Sequence, residues 1–361
     1  MKILVLACCL AACTVSLGDG ERRITAREIT VEVIVPTLDD VVTTAEAQVV
    51  AIRALATTPA QAELDAAQEA WRAARVPWKA SDAFGFGPAK DMSLTASIDQ
   101  VIDPAKVDLE VTGTSVISAA YVETIGANRK GFHAIELLMF RGGTQPEADA
   151  AVLASLTTEP NADRRLALLV AYAENLEAKA RILRDAWAAG YAARIAGPGS
   201  ANADYPTIKA VIDTLTNESV FQSELIADAR LGKPMGTGTG GIPQPLLEES
   251  APSDNSIADM TSAILGIRNI YFGARTDTPG KGIGKLVAAQ SPSTDRDVRL
   301  AIADALAAIA TIPRPYQMAL LEQRPEVATA HLAVKELKRI LATEVVGVLG
   351  ATLKFNDNDG D

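Results

Sequence analysis

The sequence predicts a mostly helical, all-α protein of two domains. Apolar residues make up 48% of the 361-residue chain and aromatic residues only 4%, and the abundant Ala and Leu favour helix over strand. Apolar side chains recur at alternating spacings of three and four, as they do on one face of a helix. Only ITVEVIVP at 29–36 leaves helix and strand open. Because the chain is too long for one compact helical core, two domains are expected.

The first residues have the pattern of a bacterial export signal. Lys2 precedes an apolar run at positions 3–12 that is too short to cross a bilayer. The run ends in LAAC, which resembles the lipobox of bacterial lipoproteins, where the signal is cut before a Cys that is then acylated. We expect removal of residues 1–12 and a lipid on Cys13, with an ordinary secretory signal as the alternative. Because Thr14 rather than Asp follows, the outer membrane is favoured.

Composition excludes several kinds of chemistry. All three cysteines lie at positions 8, 9 and 13, so the mature chain would keep no thiol for a nucleophile, a disulfide or a thiolate metal site. The net charge is -11 and no cluster of Lys and Arg occurs, which argues against nucleic acid as a partner. No later segment has the roughly eighteen uninterrupted apolar residues of a membrane helix. The body is therefore expected to be soluble, tethered by its lipid and facing the periplasm.

Polar and glycine-rich breaks predict the domain boundaries. Residues 13–28 are polar and charged and are expected to form a tether. An N-terminal helical domain is predicted over 29–232 and a C-terminal helical domain over 257–361. Between them, residues 233–256 are rich in Gly, Pro and Ser and are predicted to be a connecting or functional loop.

Apolar periodicity predicts the individual helices. One helix carries a stripe that reaches Trp78, with a kink expected at Pro77 and an end at Gly85. Residues 85–115 are predicted to be an irregular connection. Further helices are predicted at 118–140, 161–189, after Pro206, and at 257–272, 295–312 and 326–349.

The stretch GFHAIELLMF places His133 three positions before Glu136 in an apolar segment. On a helix these two side chains share a face, which makes half of a metal site. The alternative is that His133 is a core histidine with satisfied hydrogen bonds. Glu136 then lies at the helix surface or is buried with a partner, because burying it alone would cost several kcal/mol. The segment is not an HExxH motif, and the other histidine, His331, is expected to have a core or surface role. A complete site would need further oxygen ligands from elsewhere in the chain.

Two glycine-rich stretches do not form nucleotide-binding loops. GTGTGG at 236–241 follows no strand and lacks a following GK[ST], and GKGIGK at 280–285 is followed by Leu286 rather than Ser or Thr. No GxSxG elbow occurs, so the pattern of a Ser-His-Asp triad also has little support.

Several segments occur in an order that identifies a family. GFHAIE carries a GxHxxE signature through Gly131, His133 and Glu136, and AWRAARVPWKASDAFGFGP is a Trp-rich segment. SLTASIDQVIDP follows it, with Val101 where a Trp is common, and then come RLGKPMG, EESAPSDNSIADM, GIRNIYFG and FNDNDGD. Together these segments resemble the imelysin-like family of bacterial envelope proteins, which are classed as peptidases and linked to iron uptake.

The resemblance implies an all-α fold of two helical-bundle domains that are related by duplication, with a cleft between them. The helix that carries the GxHxxE signature is expected to line this cleft. A weak internal sequence repeat agrees with a duplication, because GFHAIELL at Gly131 and GIRNIYFG at Gly266 both begin with Gly and have Ile at the fifth position.

The resemblance also implies a functional role for His133 and Glu136. We expect them to hold a metal ion with distant carboxylates, with iron as the leading candidate and zinc possible. The candidate partners are Asp99, Asp254 and Asp259. The candidate cleft residues are Arg75, Trp78, Ser81, Ser253 and Tyr271, although core packing is the alternative for Trp78.

Three functions follow from these expectations. The favoured one is a lipid-anchored protein that binds iron or an iron-bearing ligand during uptake. The second is a zinc-type metallopeptidase that uses His133 with Glu136 as its catalytic carboxylate, although no complete catalytic site is visible. The third is a non-enzymatic scaffold that docks onto an outer-membrane transport receptor.

Overall fold

The computed structural model describes residues 18–140 and 149–354, and within these ranges all regular structure is helical. The expected signal, the lipid-bearing Cys13 and the FNDNDGD segment lie outside the described residues. No helix in the described ranges is both long enough and apolar enough to cross a membrane. The expected all-α class is therefore confirmed.

The described chain contains nineteen α-helices, together with short π-helical and 3-10 turns and connecting loops. The α-helices are α1 (Asp19–Ile29), α2 (Val35–Thr57), α3 (Gln61–Ser81), α4 (Pro88–Asp91), α5 (Leu94–Asp99), α6 (Pro104–Thr112), α7 (Ala119–Thr124), α8 (Phe132–Phe140), α9 (Asp149–Thr157), α10 (Ala162–Ala186), α11 (Ala192–Ala196), α12 (Ile208–Glu224), α13 (Lys233–Met235), α14 (Ser256–Phe272), α15 (Ile283–Gln290), α16 (Pro292–Ala310), α17 (Tyr316–Leu321), α18 (Pro325–Ile340) and α19 (Val346–Leu349). The π-helical turns are Thr30–Ile34, Trp187–Tyr191, Leu225–Gly232 and Leu341–Val345, and the 3-10 turns are Asp82–Phe84, Ala127–Arg129 and Pro245–Leu247.

The helices pack in two groups that share one apolar core. In the first group α2 packs against both α3 and α10, and in the second α16 packs against α15 and α18. Helix α14 joins the groups because it packs along α3 on one side and α16 on the other. Buried apolar side chains from both groups form one continuous cluster. The α3–α14 contact is the frame on which the candidate site is built, and the expected origin of the two groups by duplication stays a prediction.

The chain near the N-terminus is helical where a tether was predicted. Helix α1 begins at Asp19, and its Ala26 and Ile29 are fully buried. Arg22 donates to the Leu349 carbonyl at 3.1 Å and Arg23 donates to the Pro198 carbonyl at 2.9 Å. The tether prediction is wrong for residues 19–28, because a few apolar positions suffice to dock an otherwise charged helix. The ambiguous 29–36 segment is also helical.

Two further local predictions are wrong. Residues 85–115 were expected to be irregular, yet they contain the short helices α4, α5 and α6. The single helix predicted over 118–140 is broken into α7, a 3-10 turn and α8. Helix α3 runs through Pro77 as far as Ser81, whereas the long helix expected at 161–189 is present as α10 and the π-helical turn that follows it.

Candidate functional site

Arg75 lies at the centre of a buried ionic network between α3 and α14. Its side chain is fully excluded from solvent. Nε and Nη2 donate to the two oxygens of Asp259 at 3.2 and 2.7 Å, Nη1 donates to Asp99, and Nη2 also lies 3.2 Å from Glu249. Burial opposes the charge of the guanidinium, but Asp259 and Asp99 raise the pKa of Arg75 well above its usual range. Arg75 is therefore a permanent cation that three carboxylates share.

Asp99 ends α5 and accepts hydrogen bonds from several donors. Trp78 Nε1 and Lys79 Nζ donate to Oδ2 at 2.8 and 2.7 Å, while His133 Nε2 lies 3.3 Å from Oδ1, which also accepts from Arg75. Burial raises the pKa of Asp99, but Arg75 and Lys79 outweigh burial and lower it below its usual range. The carboxylate is thus held ionised at the inner end of the site.

A glycine sets the position of His133 beside Asp99. Gly131 has a φ of +80°, and a Cβ atom there would lie 2.3 Å from the carbonyl oxygen of Ile98. Only glycine tolerates both conditions, so the chain turns tightly against α5 before α8 begins. This close approach accounts for the first position of the GxHxxE pattern in physical terms.

His133 and Glu136 form the hydrogen-bonded pair that their spacing predicts. His133 Nδ1 lies 2.9 Å from Glu136 Oε2, and both side chains are buried. The backbone NH and the hydroxyl of Ser253 donate to the other oxygen of Glu136 at 3.1 and 2.6 Å. Burial disfavours a charged imidazole, but the bond to Glu136 and the nearby Asp99 raise the pKa of His133. Glu136 thereby orients the ring so that Nε2 faces Asp99.

Lys79, Glu249 and Arg230 complete the network and were missed in the sequence. Lys79 forms ion pairs with Asp99 and Glu249, and Arg230 Nε lies 2.7 Å from Glu249 Oε2. Burial raises the pKa of Glu249, but Arg230 and Lys79 lower it well below its usual range. Two features of the sequence point to these residues: Lys79 lies one helical turn after Arg75, and Glu249 lies within the family segment EESAPSDN. Neither position reveals its partner without the fold.

Asp99, His133 and Glu249 offer ligand atoms within 4.8 Å of one another. One imidazole and two carboxylates fit iron or zinc by donor chemistry. The bond from His133 Nδ1 to Glu136 is also the one that metal-binding histidines commonly make with a carboxylate, leaving Nε2 as the ligand atom. Both acids already contact Lys79 and Arg75. A bound ion would therefore displace Lys79 from its two partners.

The other predicted site residues fall into three sets. Arg75, Trp78, Ser253 and Asp259 belong to the network, although Asp259 contacts Arg75, Ser250 and Asn255 rather than His133. Ser81 lines the cleft and donates to the carbonyl of Trp78 at 2.6 Å. Asp254 and Tyr271 lie outside the network, because Asp254 accepts from Arg314 at 2.9 Å and Tyr271 donates to Asp295 at 3.1 Å. His331 is buried on α18.

The network forms one wall of a cleft of about 1040 Å³. Lys79, Asp99, His133 and Glu249 contribute polar groups to it, together with Arg230. The remaining lining is largely apolar and includes Phe84, Leu137, Leu183, Trp187, Phe221, Leu225, Leu246 and Leu247. A cleft of this size and composition is typical of a site for a small organic molecule.

Comparison with known proteins identifies the family. A family model described as Imelysin matches residues 34–343. The chain belongs to the imelysin family. A curated relative, iron-regulated protein A of Synechococcus elongatus, is 28% identical over 318 residues, which cover 87% of this chain and 83% of that protein.

Solved structures show the same fold. A protein described as an iron-regulated protein A precursor from Parabacteroides distasonis superposes with a TM-score of 0.77 at 23% identity, covering 92% of this chain and 95% of that one. An imelysin-like protein from Psychrobacter arcticum superposes with a TM-score of 0.74 at 12% identity, covering 94% of this chain and 98% of that one. These likenesses extend over both helical groups of this imelysin-family chain.

Proposed function

We propose that this imelysin-family protein binds iron, or an iron-bearing ligand, at the cleft wall formed by Asp99, His133 and Glu249. The observation that carries the proposal is the orientation of His133, whose Nδ1 is held by Glu136 while Nε2 faces Asp99. That arrangement fixes the imidazole as a ligand before any ion arrives. The name of the Synechococcus relative, iron-regulated protein A, supports an iron-related role.

Binding is favoured over hydrolysis because both oxygens of Glu136 already have partners within the protein. One oxygen contacts His133 and the other accepts two hydrogen bonds from Ser253. A catalytic carboxylate must be within hydrogen-bond reach of the proton it takes. The ligand group near Asp99 also contains a single imidazole. The peptidase alternative would need Glu136 to exchange these partners for water.

The location of the protein is part of the proposal. The LAAC sequence supports cleavage before Cys13 and attachment of a lipid there. A lipid-anchored protein in the envelope, with the outer membrane favoured, would hold the cleft close to a transport receptor. Delivery of iron to such a receptor would explain why a binding protein is tethered.

Calorimetric titration of the mature protein with ferrous, ferric and zinc ions tests the proposal. We expect one site that is lost in His133→Ala, and we expect Ser253→Ala to weaken it by about ten- to one hundred-fold because the support of Glu136 is lost. His331→Ala is the matched control and should bind normally. Absence of binding by all three ions, or equal loss in both histidine variants, would reject the proposal.

A separate assay addresses hydrolysis. Unfolded protein substrates incubated with the parent protein, with and without a chelator, should stay intact. Cleavage that disappears with the chelator and in Glu136→Gln would instead establish the peptidase function.

A further inference from the structure

The part of the cleft beside Phe84 contains polar atoms that no other group of the protein satisfies. Trp187 Nε1, Gln222 Oε1 and Arg230 Nη1 are all buried without a hydrogen-bond partner, and all three residues line the cleft. Trp187 is only 1% exposed and Gln222 only 5%. Buried polar groups in folded proteins are nearly always paired, so a group of unpaired ones along one cavity is typical of a surface that pairs with a ligand.

These three side chains all lie close to one 3-10 turn. The turn is Asp82–Phe84, and Arg230 Nη2 donates to Asp82 at 2.7 Å. The Trp187 ring packs edge-on against Phe84 with centroids 6.3 Å apart. Gln222 donates to Glu218 at 3.2 Å, and Glu218 in turn lies beside Gly85, the residue after the turn. The three residues with unpaired atoms are therefore all linked to the segment 82–85, Gln222 through Glu218.

Their chemistry favours an acceptor on the ligand. Trp187 Nε1 and Arg230 Nη1 can only donate. Burial raises the pKa of Glu218 to about 7, and nearby Asp82 adds to the effect. When Glu218 is protonated, the Gln222 amide can turn over, accept from its hydroxyl and present an NH2 group as a third donor. Donors on three residues that line the same cleft suit the oxygens of a carboxylate or a similar oxyanion.

The surroundings of these donors are apolar. Phe84, Leu183 and Leu225 line the cleft with Trp187, and Leu246 and Leu247 are 77% and 54% exposed where they contribute to the same lining. Such walls accept the body of an organic molecule, and the volume of about 1040 Å³ is far more than a bare ion needs.

We propose that Trp187, Gln222 and Arg230 form a subsite for an organic oxyanion with an apolar or aromatic body. The subsite shares Arg230 with the ionic network, but its three unpaired atoms are not the proposed ligand atoms of Asp99, His133 and Glu249. It requires no metal ion, so it extends beyond the proposed binding of iron.

The test uses three probes that share a naphthalene body and carry an anionic, a neutral and a cationic group: 2-naphthoate, 2-naphthalenemethanol and 2-naphthylmethylamine. Each is titrated calorimetrically into the mature protein in the presence of a chelator. We expect 2-naphthoate to bind, the alcohol to bind about ten-fold more weakly or worse, and the amine not to bind, because charge-assisted hydrogen bonds are the stronger ones. Equal binding of all three probes, or binding of none, would overturn the proposal.

Variants locate the site. Trp187→Phe keeps an aromatic ring but removes the N–H donor, and Gln222→Leu removes the amide; each should weaken 2-naphthoate about ten-fold. Tyr172→Phe is the matched control, because its hydroxyl is also buried and unpaired but does not line the cleft. Melting curves identify any variant that fails to fold. The affinity of the variant that does fold then tests the assignment. Unchanged affinity in the folded variant, or an equal loss in Tyr172→Phe, would contradict the assignment.

His133→Ala separates the two proposals. Retention of 2-naphthoate binding in this variant supports an independent subsite, whatever the iron titrations show. Loss of 2-naphthoate binding in a folded His133→Ala protein would show that the oxyanion binds at the ligand atoms around His133 and would overturn the assignment.

Discussion

Arg75 and Asp259 face each other across α3 and α14 and join the two helical groups through a pair of hydrogen bonds. The distances are 3.2 Å from Nε to Oδ1 and 2.7 Å from Nη2 to Oδ2, and the side chains are 0% and 1% exposed. Ser250 and Asn255 donate to the same carboxylate at 2.6 and 2.9 Å. A buried bidentate pair with satisfied neighbours fixes the geometry between two helices. The same guanidinium holds Asp99, so the helix contact and the site share one cation.

Arg75→Met is expected to destabilise the protein by about 3 to 5 kcal/mol, because Asp259 loses its buried ion-pair partner and Asp99 loses one of its two, Lys79 being the other. Urea unfolding monitored by circular dichroism gives the free energy of unfolding. Adding Asp259→Asn to Arg75→Met should recover part of the loss, since one uncompensated charge is then removed.

Arg53→Met is the matched control for this measurement. Arg53 also forms an ion pair, with Glu174 at 2.7 Å, but its side chain is 58% exposed. Exposed pairs contribute about 1 kcal/mol or less, so this variant should stay close to the parent protein. Equal losses in Arg53→Met and Arg75→Met would show that burial of the network does not determine its contribution.

Gly266→Ala is expected to separate α14 from α3. A Cβ atom at Gly266 would lie 2.2 Å from the carbonyl oxygen of Ala80, and this backbone has no flexible end that can move aside. Overpacking of this kind costs about 1 to 3 kcal/mol or more. We therefore expect a lower midpoint of thermal unfolding, together with weaker ion binding at His133 because the network spans the displaced helices.

Gly347→Ala provides the comparison. Gly347 lies in α19 and a Cβ atom there would contact nothing within 4 Å. This change should be neutral or stabilise the protein by up to about 1 kcal/mol, because alanine has the higher helix propensity. A Gly266→Ala protein as stable as Gly347→Ala would contradict the close packing of the two helices.

The spacing of His133 and Glu136 was sufficient to predict their contact, because residues three apart share a helical face. The family resemblance added Ser253 and Asp259, which do belong to the network. The spacing could not predict which side of the His133 ring faces Glu136 and which side faces the candidate metal ligands. Glu136 contacts the Nδ1 side of His133, whereas the ligand atoms near Nε2 belong to Asp99 and Glu249. That assignment depends on how α5, α8 and the chain before α14 meet.

The missed residues share a physical cause. Lys79 resembles any exposed lysine of a charged helix, yet its side chain is only 3% exposed because Asp99 and Glu249 stabilise it in the interior. Burial of a charge is decided by partners that are distant in sequence. The tether prediction, which is wrong over residues 19–28, has the opposite origin, since composition counts charges but does not record that Ala26 and Ile29 are sufficient to dock α1.

Glu218 is expected to make the stability of the protein depend on pH. Burial raises the pKa of Glu218 from 4.5 to about 7, so between these values the folded state binds more protons than the unfolded state. The free energy of unfolding contributed by this group is therefore full below about pH 4.5, falls as pH rises through the window and stays lower above pH 7. Glu218→Gln does not titrate, so its stability relative to the parent should increase by on the order of 2 kcal/mol between pH 5 and pH 8. Urea unfolding of both proteins across this range measures the difference, and a difference that is constant with pH would show that Glu218 ionises normally in the fold.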